Sequence, residues 1–168
     1  MVETGVSDSE VAAESFYRAH RAQAVGWAVV LTGRSDVGEE LAQDALLRTI
    51  DQLDGLHNPT AYLRVAVVNA CRSWHRASSR EDRRVVKSHS GTSVGEAPSF
   101  SGSSLEMLDL LSGLPYKHRA ALLLRFWGGW TDSEIAEALA CRPASVRVYV
   151  HRGLGALREV LARSEEVD

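Results

Sequence analysis

The sequence predicts an all-α protein: two small helical domains joined by a flexible linker, the C-terminal one a helix-turn-helix. Three observations predict it. Apolar residues recur at helical intervals along most of the 168 residues, with no convincing alternating strand pattern. The periodicity stops between Ser78 and Ser104, where the chain reads SSREDRRVVKSHSGTSVGEAPSFSGSS, and then resumes. Across 131–155 a capped short helix, a tight turn and a second helix follow one another.

The elements are justified in order. Ser7 or Asp8 can cap a first helix running to about Leu31, where Thr32-Gly33 stops it. Asp36 and Glu39 have capping-box spacing for a second helix. Its inner stripe reads Val37, Leu41, Ala45, Ile50 and Leu53, and Gly55 ends it. Asn58 caps and Pro59 opens a third helix, with Leu63, Ala66, Val67, Ala70 and Trp74 inward. These helices make a domain over 1–78. Residues 79–103 are rich in Ser, Gly and charge, cannot bury enough apolar surface to offset ordering, and read as the linker. The second domain spans 104–164. Leu105, Leu108 and Leu111 restart the periodicity, and Pro115 opens a helix with Ala120, Leu123, Leu124 and Trp127 inward. Gly128-Gly129 ends that helix, and Thr131 with Glu134 forms the next capping box. After the turn Ala140-Cys141-Arg142, Pro143 opens a last helix with Val146, Val150, Leu154, Leu157 and Leu161 inward.

Composition narrows the function. Apolar residues are 45%, enough for packed cores, and no apolar run approaches the roughly 18–20 residues that cross a bilayer. The start, MVETGVSDSE, lacks the apolar region of a signal peptide, so a cytoplasmic protein is expected. Cys71 and Cys141, about seventy residues apart, fit neither a disulfide framework nor zinc spacing. They read as thiols in a reducing compartment. The net charge of −3 hides a division: residues 1–60 hold four Arg against ten acids, whereas 117–163 hold eight Lys/Arg against four. Basic segments suit phosphate contacts, and an acidic face suits a protein partner.

The helix-turn-helix carries the most specific chemistry. Its geometry lays the second helix in the major groove of DNA. The inward stripe leaves Arg147, Val148, His151 and Arg152 pointing elsewhere. An arginine there can pair bidentately with guanine, and a second can meet phosphate. On the third helix Asn69, Arg72, Arg76 and Arg80 share one face, with Tyr62 and Trp74 nearby. Cations beside aromatics suit a strand that is being opened. The six histidines are scattered, and no HExxH, P-loop or nucleophile elbow is present, so neither a metal site, a cofactor nor a catalytic residue is expected.

Over nearly its whole length the chain resembles the extracytoplasmic-function (group IV) sigma factors of bacteria. ESFYRAHRAQAVGWAVVLTG resembles the family's first helix and DVGEELAQDALLRTI its second. NPTAYLRVAVVNACRSWHR resembles the helix at the −10 element, and LLSGLPYKHRAALLLRFWGGWTDSEIAEALACRPASVRVYVHRGLGALREVL the domain at the −35 element. The sequence departs from the family at Ala42, Ala45-Leu46, Tyr62 and Val148. The resemblance implies that Glu40, Leu41, Gln43, Asp44 and Arg48 meet core RNA polymerase. It places the Asp51–Asn58 loop with Asn69, Arg72 and Arg76 at the −10 element. It places Arg142, Ser145, Arg147, Val148, His151 and Arg152 at the −35 element. Core RNA polymerase, promoter DNA and an anti-sigma factor are the implied partners. The alternative is a conventional helix-turn-helix regulator, with 1–78 as a sensor, that acts without being a polymerase subunit.

Overall fold

A computed structural model of the chain describes residues 7–82 and 110–165. The N-terminal unit holds α1 (Asp8–Thr32), α2 (Ser35–Ile50), a 3-10 turn (Leu53–Gly55) and α3 (Pro59–Asp82). A helical turn at 110–112 leads to α4 (Tyr116–Phe126), α5 (Asp132–Ala138) and α6 (Pro143–Glu165). No strand occurs among the described residues. Residues 79–82, expected in the linker, continue α3, and the rest of that segment lies outside the described residues.

Most of the end signals act as expected. Ser7 and Glu10 form the capping box of α1, and Gly33 closes that helix at φ 72°. The Asn58 side chain accepts from the Ala61 N–H at 3.0 Å, and Thr131 with Glu134 caps α5. The Asp36–Glu39 box does not form. The cap position of α2 is Arg34, whose guanidinium instead holds Asp36 at 2.6 Å.

The core also departs from the expected stripes. In α2 the buried residues are Ser35, Gly38, Ala42, Ala45, Leu46 and Thr49, whereas Val37, Leu41 and Ile50 are half-buried. Gly38 explains the rotation, because a Cβ there would lie 2.7 Å from the Val29 backbone nitrogen. Helices α1 and α2 thus touch backbone to backbone at a position where only glycine fits. Trp127, expected inside, sits past the end of α4 and is 55% exposed, and Leu161 is exposed where α6 outruns its partners.

Residues Ala24–Thr32 of α1 are buried on every side. A helix without a polar face needs cover all round, and α2, α3 and α4 supply it. The two helical units are therefore packed together, α1 against α4 and α3 against α5. Arg119 of α4 is 4% exposed and donates through Nη2 to the Leu31 carbonyl at 2.8 Å and through Nη1 to the Ser112 carbonyl at 2.9 Å. His75 of α3 binds the same Leu31 carbonyl through Nε2 at 2.7 Å and stacks on Tyr116, ring centroids 4.2 Å apart. Burial lowers the pKa of His75 against the opposing pull of its hydrogen bond to Leu31, and Arg119 adds to the lowering; facing a carbonyl oxygen, Nε2 is the donor. Replacing Arg119 by Met removes a charged donor from buried carbonyls. It should cost about 2–3 kcal/mol in urea denaturation of the full chain. A loss below about 0.5 kcal/mol would show that the interface does not depend on this guanidinium.

Candidate nucleic-acid and polymerase interface

The helix-turn-helix is built on three anchors. Ile135 and Ala136 of α5 and Val146 and Val150 of α6 are buried against α4. Gly153 lets α6 approach α4, since a Cβ there would lie 2.8 Å from Leu122 Cδ1. Ala140 in the turn takes φ 50°, the left-handed conformation usually given to glycine. Outside this framework Arg142, Arg147, Val148, His151 and Arg152 are exposed and Ser145 is half-buried. Arg147, Val148, His151 and Arg152 share one outward face of α6, as the spacing requires. Val148, 44% exposed, gives that face an apolar contact.

Asp132 was not legible as part of this face. At the first turn of α5 it is ion-paired with Arg125 of α4 and accepts from Arg147 Nε at 3.1 Å. The carboxylate is 24% exposed, so it is held from behind while it holds Arg147. Only Nε is engaged, which leaves the terminal Nη pair for another acceptor.

The face of α3 is arranged differently. Asn69 and Arg76 are exposed, but Arg72 is half-buried and donates through Nη1 to the Ala138 carbonyl at 2.9 Å. Asn69 lines a cavity of about 520 Å³ between α3 and the C-terminal unit, walled by Gly128, Trp130 and Glu134. The face expected to meet opened DNA thus lies partly against α5. The Asp51–Asn58 loop is largely exposed and shaped by the 3-10 turn. Cys71 is fully buried beneath α3, and burial pushes its thiol up to about 12, which makes it a packing residue.

On α2 the residues Glu40, Gln43, Asp44 and Arg48 are exposed along one side, and Leu41 is half-buried at its edge. Leu47, 48% exposed, also belongs to this side, although helical periodicity in the sequence assigns it to neither face. Among the described residues no group of His, Cys, Asp or Glu is placed to hold a metal ion, and no helix is long and apolar enough to cross a membrane.

Comparison with known proteins gives this architecture its class. Residues 16–81 match the model of Sigma-70 region 2, and residues 104–157 match that of Sigma-70 region 4. The chain is 31% identical to the RNA polymerase sigma-E factor of Streptomyces avermitilis over 133 residues, covering 77% of this chain and 73% of that one. It is 28% identical over 167 residues to the ECF RNA polymerase sigma factor SigL of Mycobacterium tuberculosis, covering 94% of each. The solved structure of the sigma factor RpoE in complex with the anti-sigma factor NepR from Bartonella quintana shares the fold. Its TM-score is 0.65 at 22% identity, covering 89% of this chain and 98% of that one. Two sigma regions in this order, one of them a helix-turn-helix, define a bacterial sigma factor. More narrowly, the chain belongs to the extracytoplasmic-function sigma factors. Its function is to bind core RNA polymerase and direct transcription initiation at particular promoters.

The turn offers a test of how the reading helix is held. Ala140→Gly relieves the left-handed strain and should stabilise the protein by about 0.5–1 kcal/mol, read as a raised urea midpoint. A destabilised Ala140→Gly would mean that the turn conformation carries no strain.

Proposed function

We propose that this sigma factor works in the cytoplasm by binding alone, through three surfaces and with no catalytic residue of its own. The observation that carries the reading is the outward α6 face of Arg147, Val148, His151 and Arg152, rigidly backed by α4 and α5. The unit over 104–164 reads the −35 element through these residues with Arg142 and Ser145. Arg147 pairs with a guanine edge, steadied by Asp132, and Arg152 meets phosphate. The unit over 1–78 takes the −10 element on Asn69, Arg72 and Arg76 as its bases leave the duplex. Linking the two contacts raises affinity without adding new ones.

Core polymerase binds the α2 side formed by Glu40, Leu41, Gln43, Asp44 and Arg48. Leu47 supplies an apolar centre to that polar surface, the pattern of a protein interface. Promoter engagement on α3 requires Arg72 to leave the Ala138 carbonyl, so the packed arrangement described above is that of the protein without DNA. An anti-sigma factor is a fitting further partner, as the Bartonella relative is found with one.

Two experiments test these surfaces. Reversing charge at Asp44 and Arg48 together should weaken holoenzyme assembly at least about tenfold and abolish run-off transcription, with the thermal melt unchanged. Unaltered affinity for core polymerase would remove the α2 side from the interface. In a randomised −35 library, Arg147→Ala holoenzyme should lose about 1–3 kcal/mol of discrimination at one base pair. Arg152→Ala should weaken all sequences alike and flatten the salt dependence. Base preference that survives Arg147→Ala at every position would show that another face enters the groove.

A further inference from the structure

The packing of α3 against the C-terminal unit encloses a second, larger cleft of about 680 Å³. Arg72 and Arg76 enter it from α3, and Lys117 and His118 from the first turn of α4. Among the described residues no carboxylate lines it. Among the described residues none of the three formal cations has an acidic partner: Arg72 holds only the Ala138 carbonyl, and Lys117 Nζ lies 5.8 Å from the Tyr149 ring centroid. Arg72 and Arg76 are also like charges one helical turn apart, an unfavourable spacing unless an anion sits between them. Domain packing therefore gathers positive charge from two units into one concavity, which costs Coulomb energy.

Two polar atoms buried behind the wall of this cleft, in residues that line it, lack partners. The Tyr116 hydroxyl and Arg72 Nε are buried with no hydrogen bond, although buried polar groups are nearly always paired. The amino end of α4 adds the positive pole of a helix to the same wall. His118 also lines the cleft; burial and the nearby Arg152 lower its pKa. The volume is that of an ordinary small-ligand site.

We propose that this cleft binds a compact oligophosphate anion, which bridges Arg72 and Arg76 of α3 to Lys117 of α4 and so holds the two helical units together. The anion occupies two of the residues assigned above to the −10 element, so it and the promoter strand exclude one another. The site does not depend on that assignment, and the test uses neither DNA nor polymerase, which keeps the two failures apart.

The probe is sodium tripolyphosphate, titrated calorimetrically into the full chain in magnesium-free buffer. One-to-one saturable binding is expected. Arg76→Ala and Lys117→Gln should each weaken it about tenfold. Arg158→Ala, which removes an exposed α6 cation that does not line the cleft, should leave it unchanged. Thermal melts establish that each variant is folded. Adenosine triphosphate that binds as tripolyphosphate does, or more tightly, identifies the phosphate chain as the recognised group. Adenosine that binds as tightly as its triphosphate overturns the proposal. So does the lack of saturable binding, or an Arg158→Ala loss equal to that of Lys117→Gln.

Discussion

The carbonyl end of α1 is the constraint on which the rest of the structure depends. A helix leaves its last carbonyls without intrahelical donors and concentrates negative potential there. In this chain the Leu31 carbonyl is buried, where water cannot satisfy it. It is reached from two directions, by the ring of His75 and by the guanidinium of Arg119. One peptide oxygen thereby ties α1 to α3 and to α4. The same solution recurs at the end of α5, where Arg72 donates to the Ala138 carbonyl. Each helical unit caps a helix end of the other, and both caps are cations at a negative pole.

This mode of association explains how the two units can be joined closely in one state and still serve a protein that must contact two separate promoter elements. The bonds across the junction are few, directional and made to backbone carbonyls. They accompany the apolar packing of α1 against α4. Such contacts can be exchanged for bonds to phosphate or to bases with little change in the number of hydrogen bonds. Arg72 illustrates the economy, since one side chain is a structural cap in the packed form and a nucleic-acid contact in the proposed working form.

The fold was legible where a local rule governs an element, save at the start of α2, where the Asp36–Glu39 box does not form. Ser7 or Asp8, Asn58 with Pro59, and Thr131 with Glu134 each mark a helix start by local chemistry, and at the first of these it is Ser7 that caps. The outward set on α6 followed from periodicity alone, because one apolar stripe there is unambiguous. What escaped depends on partners distant in sequence. In α2 two candidate stripes compete, and the close approach of Gly38 to Val29 chooses between them. Asp132 acts on Arg147 across the turn, and Arg119 acts on Leu31 across the whole linker. An arginine in a sequence reads as exposed, and nothing local says that a carbonyl elsewhere needs it. The role of Trp127 was misread for the converse reason: periodicity continued past the residue where α4 ends.

The all-round burial of Ala24–Thr32 bears on how the protein is made. On the ribosome α1, α2 and α3 are complete before α4 exists, so the nascent N-terminal half lacks part of the cover for its first helix. Until Arg119 emerges, the Leu31 carbonyl has only His75 as a side-chain partner, beside uncovered apolar surface. That interval is one in which a chaperone, or a second nascent copy, competes with the chain's own later residues for the same helix. The order of translation thus decides which partner α1 meets first.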